Sequence, residues 1–140
     1  MAHVKYEQAA DAVHGAAIRL LRAVRKEDAA SGISGAQLSV LSVLVFAGPQ
    51  TLSALAQAEQ VKPPTMSQLV SALEAQGLVA RRPLDRRSSE VSVTDKGRKL
   101  MEAGRKRRLS RIAKSLEKLP PAKLALLEEA ARIMAEVAKG

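Results

Sequence analysis

The sequence predicts a mainly α-helical chain with one small β-hairpin, and three observations carry that reading. Apolar residues recur every three or four positions over most of the 140 residues. The period switches to short β-branched runs only at 78–82 and 90–93. Residues that start and stop helices fall at almost every boundary between these stretches.

The first helix extends from about Tyr6 to Ala30: Ala10, Val13, Ala17, Leu20, Leu21 and Val24 line one face, Arg19, Arg22, Arg25 and Lys26 the others, and Ser31-Gly32 stops it. Ser34 precedes Gln37 by three residues, a capping-box spacing, and opens a helix over Leu38 to Phe46. Its Leu38, Leu41, Leu44 and Val45 make a buried stripe, and Gly48-Pro49 ends it. Thr51 caps a short helix of Leu52, Leu55 and Ala56 that finishes near Glu59. The next helix covers Lys62 to Gln76, with Pro63 and Pro64 in its first turn, where a missing amide proton costs little. Met66, Leu69, Val70 and Leu73 face inward and Gly77 supplies a left-handed cap.

Leu78 to Arg82 and Glu90 to Val93 form a hairpin across the polar stretch Pro83 to Ser89. Thr94 caps a helix from Asp95 to Leu119, which Pro120-Pro121 breaks. The last helix, Ala122 to Ala138, carries two adjacent stripes, Leu127, Ala131, Met134 and Leu126, Ala130, Ile133, Val137. An arc so wide requires cover on both sides. Helix, short helix, tight turn, helix and two-stranded hairpin is the order of a winged helix-turn-helix. The expected organisation is a single domain over 1–140, with 34–94 as the winged helix-turn-helix DNA-binding part. The segments 1–31 and 95–140 form helical dimerisation parts that join two copies into a homodimer.

Composition narrows the function. The most apolar stretch, Leu38 to Gly48, is shorter than the roughly 20 residues of a membrane span, so no membrane partner is expected. The N-terminal Met-Ala-His-Val-Lys-Tyr-Glu-Gln has no apolar export region, which suggests the cytoplasm. Zero Cys removes disulfides, thiolate catalysis, cysteine zinc sites and thiol-based peroxide sensing. With His3 and His14 the only imidazoles, neither a His-rich metal site nor a Ser-His-Asp triad is expected, and no base, nucleophile and orienting group cluster in the sequence. The chain is therefore not expected to be an enzyme or to need a cofactor.

The net charge of +9 is concentrated. Between Arg81 and Lys114 stand 13 Lys or Arg against four acids, while the remainder balances at ten each. Charge alone fits a solvated helix face as well as a polyanion partner. The Arg105 to Arg108 run points around most of a helical turn, so its members cannot all touch one duplex; some steer DNA, and the rest solvate the helix or pair with acids such as Glu102 and Glu117. The first turn of the fourth helix adds Lys62, Thr65, Ser67 and Gln68 beside Pro63 and Pro64. Gln68 has the paired donor and acceptor that match adenine, and Thr65 suits a thymine methyl or a hydrogen bond. Grouped at one helix end before a basic hairpin, these polars favour double-stranded DNA.

The residues Leu-Ala-Gln-Ala at 55–58, Pro64-Thr65-Met66-Ser67-Gln68-Leu69-Val70, Leu73 through Arg81, Asp85-Arg86-Arg87-Ser88 and Val91 through Gly97 resemble the MarR (multiple antibiotic resistance regulator) family. The resemblance implies a homodimer joined through its terminal helices, with the recognition helix in the major groove and the wing against the minor groove. It further implies a regulator, often a repressor relieved by a small aromatic or phenolic effector, acting at a pseudo-palindromic operator. Asp85 and Arg87 match the family's Asp-x-Arg pair of the wing, in which the carboxylate either positions the guanidinium or forms a plain turn ion pair; Arg86 lies between them. The segment Arg82-Pro83-Leu84-Asp85 is two residues shorter than in many members, which makes the wing compact. Arg81 matches an arginine at the wing base that faces an anionic ligand or the DNA backbone, or serves as a structural ion pair; Thr51 is a further candidate for backbone or ligand contact. Phe46, Tyr6 and His14 are pocket candidates, with a core position the favoured role for Phe46. A winged-helix protein-interaction module is the alternative from another class.

Overall fold

The computed structural model describes residues 2–140; Met1, the first residue of the expected 1–31 part, lies outside them. Six α-helices and three short strands follow one another: α1 Ala2–Asp28, a 3-10 turn Ala29–Ser31, α2 Gly35–Ala47, β1 Gln50–Thr51, α3 Leu52–Ala58, α4 Pro63–Ala75, β2 Val79–Pro83, β3 Ser89–Val93, α5 Asp95–Leu116 and α6 Pro121–Val137. The expected boundaries hold to within a few residues. The first helix begins earlier than Tyr6, and Pro121 is the first helical residue of α6 rather than part of the break.

Local chemistry accounts for the starts and stops. The Ser34 hydroxyl accepts the Gln37 amide at 3.1 Å while the Gln37 side chain accepts the Ser34 amide at 2.9 Å, the reciprocal capping box. Thr51 accepts from the Ala54 amide at 3.1 Å, and Thr94 from the Gly97 amide at 3.1 Å. Between α3 and α4 the turn passes through Gln60 at φ 56°, a left-handed position held by a residue other than glycine.

The sheet has the order β1-β3-β2, all antiparallel. Strand β1 was not anticipated, because two residues are too few to show alternation; it exists because Gln50 and Thr51 lie against Val91 and Glu90 of the hairpin. The hairpin register pairs Val79 with Val93, Arg81 with Val91 and Pro83 with Ser89.

The core lies almost wholly within the helix-turn-helix and the hairpin. Val40, Leu41 and Leu44 of α2, Leu55 and Ala56 of α3, Met66, Val70 and Leu73 of α4, with Leu78, Val79 and Val91, form one buried cluster. Leu38 and Val45, expected in the buried stripe of α2, are only half-buried because Val40 takes the inward place beside Leu41 and Leu44. Phe46 overturns the expectation of a core position: it is 82% exposed, since Leu41 and Leu44 fix the inward direction and Phe46 falls outside that arc. Outside this cluster burial is sparse. Helix α6 has no buried residue and α1 only Val24.

The wing is fastened to the rest at one crowded junction. Gly77 takes φ 73° after α4, the Thr94 hydroxyl donates to the Gly77 carbonyl at 2.6 Å, and the Thr94 amide donates to Leu78 at 3.1 Å. Helix α5 then passes so close to β2 that a Cβ on Gly97 would collide with the Leu78 carbonyl and stand 2.8 Å from a Val93 methyl.

Candidate nucleic-acid interface

Helix α4 presents its first turn outward. Lys62, Pro63, Pro64, Thr65 and Gln68 are exposed and Ser67 is half-buried, while Met66 on the underside is fully buried. The underside fixes the helix against the core and leaves the polar side free. Pro63 and Pro64 have no amide proton, and Lys62 provides no side-chain cap, so Thr65 is the first helical residue that carries an N–H. Amides at a helix start favour an anion such as a phosphate oxygen.

At the wing tip Asp85, Arg86 and Arg87 are all exposed. The Asp85 carboxylate accepts the backbone N–H of Arg87 at 2.7 Å and of Ser88 at 2.8 Å, both on Oδ1. These amides, the Arg87 one foremost and then those of Ser88 and its hydroxyl, hold the carboxyl below the ordinary aspartate range. The loop is closed further by Leu84 N–H to the Ser88 carbonyl at 3.0 Å. Among the described residues no ion pair joins Asp85 to the Arg87 guanidinium, and neither Arg86 nor Arg87 has an acidic side-chain partner. Two guanidiniums therefore stand unpaired at the tip of a backbone-braced loop. Below them Arg82 and Glu90 pair across the strands at 3.0 Å.

Arg81 turns the other way. Its Nη2 donates to Ser71 of α4 at 3.1 Å, and its Nε lies 4.0 Å from the Glu74 carboxylate. Thr51 is engaged as the cap of α3 and as a partner of Glu90 in the sheet.

The acids that pair with the basic residues of α5 lie on α1 and not on α5. Arg108 meets Asp28 at 2.7 Å and Arg111 approaches Glu27 at 3.9 Å, because the C-terminal end of α1 lies against α5; among the described residues Glu102 and Glu117 take no part in an ion pair. A cleft of about 190 Å³ opens between the end of α2 and α5, bordered by Val45, Phe46, Met101, Arg98, Arg105 and Arg108, with Ser42 and Glu102 also lining it. Tyr6 and His14 lie elsewhere, exposed on α1. Ser71 and Glu74 were missed at the level of sequence, although their three-residue spacing on α4 and the alternation placing Arg81 on the same face of β2 as Val79 carry the signal. Among the described residues no three His, Asp or Glu side chains gather where a metal ion could be held, and no single helix is long and apolar enough to cross a membrane.

A helix-turn-helix whose second helix exposes a polar first turn, followed by a hairpin with free arginines at its tip, defines a DNA-binding protein of the winged-helix class. Comparison with known proteins narrows the class. A MarR-family profile matches residues 31–88. The chain is 36% identical over 121 residues to an HTH-type transcriptional regulator of Mycobacterium tuberculosis, with 85% of each chain covered. Its fold is similar to that of the transcriptional regulator Tm0710 from Thermotoga maritima, with a TM-score of 0.82, 26% identity and 95% of each chain covered. It is also similar to NadR, solved in complex with 4-hydroxyphenylacetate, with a TM-score of 0.62, 26% identity and 91% and 90% of the two chains covered. The chain belongs to the MarR family of helix-turn-helix transcriptional regulators.

Proposed function

We propose that this regulator is a cytoplasmic repressor that binds a pseudo-palindromic operator as a homodimer and releases it on binding a small aromatic acid. Residues 34–94 read the DNA, and the helices on either side join the two copies. The observation that carries the reading is the pairing of two unpartnered polar surfaces within one winged fold. One is the first turn of α4 with Lys62, Pro63, Pro64, Thr65, Ser67 and Gln68; the other is the wing tip, where Arg86 and Arg87 are exposed and Asp85 holds the Arg87 backbone. Thr65, Ser67 and Gln68 meet base edges, Lys62 meets phosphate, and the wing arginines enter the minor groove.

Dimerisation is supported by the surface of the terminal helices: Leu20 and Leu21 of α1 and Leu126, Ile133 and Val137 of α6 are all exposed in the single chain. A two-fold dimer covers such faces with identical ones and sets two recognition helices to read two half-sites. For the effector, the cleft beside Phe46 combines an aromatic wall with Arg98 and Arg105, chemistry suited to an aromatic carboxylate, while its Arg108 is held by Asp28. NadR's complex with 4-hydroxyphenylacetate supplies the probe.

Selection of duplexes from a random pool, followed by salt titration and light scattering, tests the reading. A dimer should retain sequences with two inverted half-sites and lose affinity steeply as salt rises, and 4-hydroxyphenylacetate should weaken the complex. Retention of no preferred sequence would instead support the protein-interaction module. Selective binding unaffected by aromatic acids removes the effector while leaving the DNA reading intact.

A further inference from the structure

Arg81 occupies an unusual position for a basic residue beside a DNA-reading surface, because it is mostly withdrawn from solvent: its side chain is 25% exposed. Strand alternation puts it on the face of β2 that also carries the buried Val79, so the chain sends a guanidinium along the edge of the core toward α4. There it meets two side chains of one helix face. Nη2 donates to Ser71 Oγ at 3.1 Å, and Nε faces Glu74 Oε1 at 4.0 Å. The Nε atom is itself buried and has no hydrogen-bond partner, so the Glu74 carboxylate is its nearest compensation.

Ser67, Ser71 and Glu74 follow one another at four and three residues, a continuous row along α4 that begins at the half-buried Ser67, directly after the exposed first turn. The guanidinium therefore grips the row that carries Ser67, one helical turn before Ser71, while its own strand leads through Arg82 and Pro83 to the wing tip. The geometry points to Arg81, with Ser71 and Glu74, as a clamp that fixes the wing relative to the recognition helix and so acts as a positioning group for DNA selectivity, not as a phosphate or effector contact. Its part in DNA selectivity rests on the DNA-binding reading above.

A planar guanidinium suits this role better than an ammonium, since only the fork reaches a hydroxyl and a carboxylate from one fixed pose. A rigid link matters because the two elements must meet adjacent grooves together. Freeing one from the other adds an ordering cost on every site and lowers the reward for the correct one.

The test uses the full-length protein with a duplex selected from a random pool and a scrambled control. Glu74 is 45% exposed and Ser71 is exposed, so Glu74→Gln and Ser71→Ala leave the core untouched and keep the experiment informative should Arg81→Ala fold poorly. Glu74→Gln is expected to lower the ratio of selected to scrambled affinity by about threefold, the scale of a partly exposed ion pair. The salt slope should stay at the wild-type value. Combining it with Arg81→Ala should add nothing to the loss from Arg81→Ala alone. Arg81→Lys should restore less than half of the lost ratio.

Hydrogen exchange on the free protein gives a reading independent of DNA: the wing amides of Arg82 and Glu90 should exchange faster in Glu74→Gln, with the α2 and α4 core amides unchanged. A salt slope reduced by about one in Arg81→Ala makes Arg81 a phosphate contact and overturns the clamp. Additive losses, or wing exchange equal to wild type, overturn it as well. If the wild-type protein selects no sequence, the DNA-binding reading fails, and the exchange measurement still decides whether the clamp exists.

Discussion

The Asp85 carboxylate holds the backbone of Arg87 and not its guanidinium: Oδ1 lies 2.7 Å from the Arg87 nitrogen, and a second bond at 2.8 Å reaches the Ser88 amide. The two-residue spacing of the Asp-x-Arg pair is thus explained by a turn in which an aspartate caps its own loop. Arg87 is positioned through its main chain while its charged end stays free. This arrangement avoids neutralising the cation that the wing presents.

Because backbone acceptance is the role, Asp85→Asn should keep most DNA affinity, since an amide oxygen accepts the same two N–H groups, whereas Asp85→Ala should lose it. A pure charge account expects the opposite for alanine, as removing an acid beside DNA tightens binding. Affinity measurements on the selected duplex at fixed salt separate the two.

The same contact sets a pH dependence. The carboxyl is held below its ordinary value by the Arg87 and Ser88 amides, so its contribution to wing order is fully present above the unfolded value of about 4 and is lost as pH falls through the lower folded value. The Arg87 and Ser88 amide resonances should therefore shift together in an acid titration, with a midpoint below that of a free aspartate. A midpoint at or above the free value would contradict the bonding described.

Gly97 is where helix α5 touches the wing most closely. An alanine methyl would overlap the Leu78 carbonyl and crowd Val93 at 2.8 Å, and Leu78 is itself tied to the Thr94 amide, so the backbone has little room to move. Gly97→Ala should cost about 1–3 kcal/mol of stability, the usual range for overpacking. Urea unfolding gives the measurement; an unchanged midpoint means that the junction relaxes freely.

Much of this architecture was legible in the sequence, for identifiable reasons. The capping box of Ser34 and Gln37, the caps Thr51 and Thr94 and the left-handed Gly77 are local devices whose residues sit within a few positions of what they bind. Of the expected inward face of α4, Met66, Val70 and Leu73 are buried and Leu69 is half-buried at its edge. Contacts between distant segments were not legible: Asp28 with Arg108 spans 80 residues, and β1 is defined only by its partner strand. The exposure of Phe46 was not legible either, because the inward direction of α2 is taken by the smaller Val40, Leu41 and Leu44, and that choice is set by packing against other elements. At the candidate site, the polar turn of α4 was visible as composition, but the Arg81 link to Ser71 and Glu74 required the folded hairpin.

The turn between α3 and α4 depends on Gln60 tolerating φ 56°. Replacing it with a β-branched residue, as in Gln60→Ile, should destabilise the protein by about 1–2 kcal/mol because its branched carbon clashes in the left-handed region. Gln60→Gly relieves the strain but loosens the unfolded chain, so the net change should stay within about 1 kcal/mol. Thermal unfolding of both variants checks the sign and the order.

Leu126 is 67% exposed on α6 and shares a stripe with Ala130, Ile133 and Val137, of which Ile133 and Val137 are exposed as well. Among the described residues none buries this stripe: Ala130 is half-buried and α6 has no buried residue. If a second copy covers it, each Leu126 contributes about 1.5–3 kcal/mol to association, and a charge in its place must be desolvated in addition. The expected result for Leu126→Glu is a shift from dimer to monomer at micromolar concentration by light scattering, with helical circular dichroism retained, because the winged core lies elsewhere. Operator affinity should then fall steeply, since two half-sites are no longer bound as one unit. A Leu126→Glu protein that remains a dimer would place the interface away from this stripe of α6.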